Sequence, residues 1–227
     1  MTAKDMFSHR VSILTGHYGT GKTEVSVNLA LALAAEGEQV MLADLDIVNP
    51  YFRSRERRPL LEKAGVRVIS SSQACSDADV PAVPAELLTI LENREIRGIL
   101  DIGGDPVGAR VLARFQPKIV QEDYQLIFVL NANRPEVRDA ESAAAYLRSI
   151  EAVTGLTCSG LVNNTHLCGE TTPAEIRKGA ALAQEVSRQT GIPILCHTAE
   201  RRFLESLSDL GEPVFPIAIN MKKPWER

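Results

Sequence analysis

The sequence predicts a doubly wound α/β fold, a mainly parallel sheet with helices on both faces. Three observations carry that expectation. Apolar, β-branched runs alternate with helical patterns from end to end, as parallel strands joined by crossover helices do. Gly37, Gly65 and Gly191 fall just after helical stretches, where a left-handed residue is wanted. A glycine-rich loop, Gly16-His17-Tyr18-Gly19-Thr20-Gly21-Lys22-Thr23, separates the first apolar run from the first helical one.

The first strand is expected over 10–15, around Val11-Ser12-Ile13-Leu14, and the first helix over 22–36, whose apolar stretch Val25–Leu33 reads as buried. Strands follow at 39–44, 66–70, 98–102, 125–131, 158–163 and 193–197, with a short last one at 214–219. Helices are expected at 52–64, 84–94, 106–115, 135–151, 173–190 and 200–209. The stretch 70–81 is a polar loop bounded by proline. With no repeat, low-complexity segment or linker, one nucleotide-binding domain over 1–227 is expected.

The 227 residues are 44% hydrophobic and 24% charged, an ordinary globular composition. A formal net charge of −4 gives no overall attraction to nucleic acid or to an anionic membrane. No apolar stretch approaches the roughly 20 residues that span a bilayer, and residues 1–6 lack the apolar core of a secretion signal. A cytoplasmic protein is expected. The four cysteines, at 75, 158, 168 and 196, include no C-x-x-C pair. His166 and Cys168, with Cys196 and His197, invite a metal reading, but their spacing matches no zinc pattern.

The loop fits G-x-x-x-x-G-K-T, and its place between strand and helix gives the pattern its force. Gly16, Gly19 and Gly21 let the backbone wrap close to phosphate oxygens, and the helix start adds its positive dipole end. Lys22 is suited to the β- and γ-phosphates and the Thr23 hydroxyl to Mg²⁺. The chain is expected to bind a nucleoside triphosphate.

Polar residues at the carboxyl ends of the other strands are the candidates to complete such a site. Asp44 and Asp46 lie on one side of the second strand's end, suited to positioning metal or water, or else starting a turn before Asn49-Pro50. Asp101, ending the apolar fourth strand, suits Mg²⁺, and the D-x-x-G spacing to Gly104 suits a γ-phosphate switch. In Asn163-Asn164-Thr165-His166, Asn163 is placed to meet a base edge or to serve as a turn residue. A guanine-reading N-K-x-D would need Asp at 166, so adenine, and hence ATP, is the expected base. The basic run Arg53–Arg58 reads as a solvated helix face or a docking patch for an acidic partner.

These pieces resemble the MinD/ParA-like branch of P-loop ATPases, which also holds nitrogenase iron protein and the iron–sulfur carrier ATPases. Its points are Gly19-Thr20-Gly21-Lys22-Thr23, Asp44-Leu45-Asp46, Asp101, Pro135–Ala140, Asn163, Ile192–Leu195 and Gly211–Val214. The resemblance implies Mg²⁺-ATP binding, slow hydrolysis and a nucleotide-dependent homodimer acting on a protein partner. By match, Asp46 would orient the attacking water, Asp44 would support the switch and Asn163 would contact adenine. The chain departs from the family at His17, which stands where the partner-reaching lysine belongs, and at Tyr18, which replaces a glycine. Residues 220–227 are too short and too proline-broken for a membrane-binding helix. An ATP-binding module without turnover, and a small-molecule phosphotransferase or ligase, are the alternative readings.

Overall fold

The computed structural model describes residues 1–46, 54–70 and 86–221. The described strands are β1 (Val11–Thr15), β2 (Val40–Leu45), β3 (Arg67–Ser70), β4 (Arg97–Ile102), β5 (Tyr124–Leu130), β6 (Cys158–Asn163), β7 (Ile194–Glu200) and β8 (Val214–Ile217). They form one sheet in the order β3-β2-β4-β1-β5-β6-β7-β8, and every pairing is parallel.

The α-helices are α1 (Ala3–Met6), α2 (Lys22–Ala35), α3 (Arg58–Lys63), α4 (Glu86–Glu92), α5 (Pro106–Ala109), α6 (Gln116–Ile119), α7 (Ala140–Thr154) and α8 (Pro173–Thr190). Alternation along each strand divides the core. Val11, Ile13, Leu126, Phe128 and Leu130 pack on the face covered by α4, α7 and α8. Leu14, Ile127 and Val129 pack on the face of α2. A sheet buried on both faces leaves its strands apolar throughout, which is why they were legible. Gly37, Gly65 and Gly191 all adopt positive φ, at +87°, +85° and +74°.

Several helices differ from expectation. The expected helix 52–64 is a 3₁₀ turn, Ser54–Arg57, leading into α3, and its first two residues lie outside the described part. Residues 106–115 split into α5 and a 3₁₀ segment, Arg110–Arg114. Asp139 accepts from Ser142 N–H at 2.8 Å, so α7 starts at Ala140 rather than Pro135. The expected helix 200–209 is two 3₁₀ turns, Arg201–Phe203 and Glu205–Leu207, because β7 runs on to Glu200. The short α1 was not anticipated; a reciprocal Thr2–Asp5 capping box holds it, and buried Phe7 after it packs edge-on to Phe215 at 5.5 Å. The loop 71–81, Cys75, Asn49-Pro50, Arg53 and the tail 222–227 lie outside the described residues.

Candidate nucleotide site

The phosphate loop leaves the carboxyl end of β1, the strand between β4 and β5, and turns directly into α2. Thr20 closes the turn, its hydroxyl donating to His17 C=O at 2.9 Å and its N–H to the same oxygen at 3.2 Å. Gly21 caps α2 at φ +85°, and a Cβ there would lie 2.2 Å from Asn164 Nδ2. Only glycine tolerates both conditions. The first helical bond runs from Val25 N–H to Gly21 C=O, so the N–H groups of Lys22, Thr23 and Glu24 have no intrahelical acceptor. They form a helix N-terminus of the kind that binds anions.

A cavity of about 470 Å³ opens over this loop, lined by Tyr18, Gly19, Gly21, Lys22, Thr23 and Asp46 on one side. Asn164, His166 and Cys168 after β6, Glu200 and Arg202 after β7, and Ile217, Ile219 and Met221 complete it. The last three are held by α2. Glu24 accepts from the N–H groups of Asn220 and Met221 at 2.8 and 2.9 Å, and Asn28 pairs with both backbone groups of Ala218. Burial pushes the Glu24 carboxyl up against those hydrogen bonds.

Behind the loop lies a dense charge cluster. Lys22 is buried, and desolvation lowers its pKa while Asp101, Asp46 and Asp105 raise it. Asp101 stands in register with Asp44 across β2 and β4. Burial first, and then Asp44, push the Asp101 carboxyl up to about 7, against Lys22 and the Thr23 hydroxyl. Both Asp101 oxygens are buried without a hydrogen bond among the described residues. Unsatisfied carboxylate oxygens beside a Thr hydroxyl and another acid suit a hard divalent cation. Gly104 packs against the loop so closely that a Cβ would lie 2.7 Å from Lys22 Nζ and 2.8 Å from Tyr18 N. Its C=O accepts from Tyr146 O–H.

Two sequence-predicted residues are placed differently. Asn163 does not line the cavity. It is fully buried, donating to Ile176 C=O at 3.0 Å and to His197 Nδ1 at 3.2 Å and accepting from Thr165 N–H at 3.1 Å. Gly179 lets α8 press onto it, since a Cβ there would lie 2.2 Å from Asn163 Oδ1. The amide at the cavity is Asn164, which donates to Thr20 C=O at 2.8 Å. His17 also lies outside the lining and packs edge-on against Tyr146 at 4.9 Å.

The His/Cys segments do not converge. His197 joins Asn163 to Glu212, while His166 and Cys168 face the cavity and Cys196 is in the core. Among the described residues no three His, Cys, Asp or Glu side chains form a metal cluster. The sequence reading missed Glu24, Arg134, Glu200 and Arg202. For Arg134 the available signal was its place right after a strand that neighbours the loop strand.

The family described as ParA, NUBPL iron-transfer P-loop NTPase, matches residues 6–55. Septum site-determining protein MinD of Helicobacter pylori is 23% identical over 96% of this chain and 87% of its own. The cytosolic Fe-S cluster assembly factor cfd1 of Emericella nidulans is 36% identical over 42% of this chain. An iron-sulfur cluster carrier protein of Escherichia coli is 50% identical over 18%. The matches span only 26% and 11% of those two relatives. Among solved structures, cell division protein FtsY of Thermotoga maritima superposes with a TM-score of 0.56 at 23% identity, covering 81% of this chain and 59% of that one. The phosphate loop on a parallel sheet gives the chain the fold of a P-loop NTPase, and MinD/ParA-like proteins are among those its sequence is similar to.

Proposed function

We propose that the chain binds Mg²⁺-ATP, hydrolyses it slowly and uses nucleotide state as a switch on a protein partner. The observation that carries this reading is the buried, unsatisfied Asp101 carboxylate behind a complete phosphate loop. Thr23 and Asp101 would hold Mg²⁺, which neutralises phosphate charge when bound. Lys22 and the α2 N-terminus bind the phosphates. Asp46, at the cavity wall, orients the attacking water, and Asp44, the register neighbour of Asp101, supports the switch. Gly104, pressed on Lys22 and Tyr18, is placed to move with the loop when the γ-phosphate is present. The base lies toward Asn164 and the apolar wall of Ile217, Ile219 and Met221.

The names of two relatives raise iron–sulfur transfer as a second reading. Two of the cysteines weigh against it, both buried in the core, whereas Cys168 lines the cavity. Burial pushes the Cys158 thiol up to about 12 and raises that of Cys196 as well, whereas iron is held by thiolates. Calorimetric titration with ATP, with and without Mg²⁺, followed by steady-state phosphate release, tests the proposal. Tight ATP binding without turnover reduces the protein to a binding module, and absence of binding overturns the reading.

A further inference from the structure

The cavity floor is short of positive charge for a polyphosphate. Lys22 shares its surroundings with Asp101, Asp46 and Asp105, and Asp44 is the register neighbour of Asp101. His17, at the position of the expected second cation, is engaged elsewhere. Its Nδ1 lies 3.2 Å from Tyr18 C=O and 3.8 Å from the Glu136 carboxylate, and its ring rests on Tyr146.

Arg134 lies on the loop itself. It follows β5, and its Nε donates to Gly19 C=O at 2.7 Å. The guanidinium covers Gly19 so closely that a Cβ there would be 2.6 Å from its Cζ and 2.7 Å from Nη2. Glycine at 19 is therefore what admits the arginine. The guanidinium lines the cavity, and no other hydrogen bond or ion pair engages it among the described residues. A guanidinium fixed through Nε keeps its two Nη groups for a pair of oxygens, a geometry suited to phosphate. Its charge also acts across the cavity, since Arg134 helps burial lower the His166 pKa to about 4.

We propose that Arg134 is a phosphate-binding residue supplied in cis, its Nη groups engaging the nucleotide's phosphate chain and delivering charge that His17 does not. This rests on the nucleotide-site reading above.

Titration of Mg²⁺-ATP and Mg²⁺-ADP into wild type, R134Q and R134K at low and high ionic strength tests it. Glutamine retains a donor for Gly19 C=O without the charge, so a merely structural prop would survive in R134Q. Arg134 is half-buried on a loop, and both variants should fold. R134Q should bind both nucleotides about 10- to 100-fold more weakly, with a shallower salt dependence because one screened attraction is gone. R134K, which keeps the charge but not the paired N–H groups, should fall between. Wild-type affinity in R134Q, or a loss of affinity with unchanged salt dependence, overturns the proposal. Wild-type protein that binds neither nucleotide overturns instead the site reading on which it rests.

Discussion

Asp44 and Asp101 are register neighbours on adjacent parallel strands, and both are buried, at 3% and 1% exposure. Burial disfavours the charged carboxylate, and repulsion from Asp44 adds to it, so the Asp101 pKa moves up to about 7. The folded chain then holds a proton that the unfolded chain releases above about pH 4. The Asp101 contribution to stability is therefore fully present at low pH and is lost as pH rises toward 7. In nucleotide-free, Mg²⁺-free protein, D101N should be more stable than wild type at pH 8, by on the order of a few kcal/mol. The two should converge near pH 4.5. Thermal unfolding at both pH values is the check, and a pH-independent gap contradicts the coupling.

D46N and D101N should separate in function. Asp46 lines the cavity while Asp101 lies behind Thr23. D46N is expected to keep Mg²⁺-ATP affinity and to lose turnover by about 100-fold or more, since water positioning acts in the transition state. D101N should lose the Mg²⁺ dependence of binding. Equal losses of affinity in both variants would refute this division.

K22A should lower ATP affinity by about 10- to 100-fold through loss of a charge-assisted contact. It should also destabilise the nucleotide-free protein at pH 8, because Lys22 is a buried cation among acids. Titration calorimetry and thermal melts measure the two effects, and a stable K22A that binds ATP normally would refute both.

N163A and N164A should differ in kind. Removing Asn163 leaves Thr165 N–H and the Nδ1 of His197 without their partner in the core, while His197 Nε2 keeps Glu212, costing about 1–3 kcal/mol of stability, with the ATP:GTP preference unchanged. Removing Asn164, which lines the cavity, takes the partner from the buried Thr20 C=O and should weaken nucleotide binding. Melts and competition titrations decide it, and a changed base preference in N163A would return that residue to the base site.

H17K should promote an ATP-dependent dimer that wild type forms weakly or not at all. The imidazole is engaged with Tyr146 and Glu136 of its own chain, and lysine is longer and more flexible. Sedimentation with a nonhydrolysable ATP analogue measures this, and a tight wild-type dimer indifferent to H17A would refute it.

The sequence by itself determined the parallel α/β sheet, the phosphate loop and the acids at the ends of β2 and β4. Strands buried on both faces must be apolar throughout, and a loop that cradles phosphate needs glycines and a lysine at fixed spacing, so local composition reveals both. Short helices were less legible: Asp139 moved the start of α7, and β7 consumed the start of the expected helix at 200. Only tertiary structure decided which of two adjacent asparagines meets the cavity. A one-residue step along a strand end reverses the side chain's direction, and the packing of Gly179 on Asn163 fixed the outcome. The same holds for Arg134 and Glu24. One meets Gly19 across 115 residues and the other meets Asn220 across 196, contacts between distant segments that no local spacing encodes.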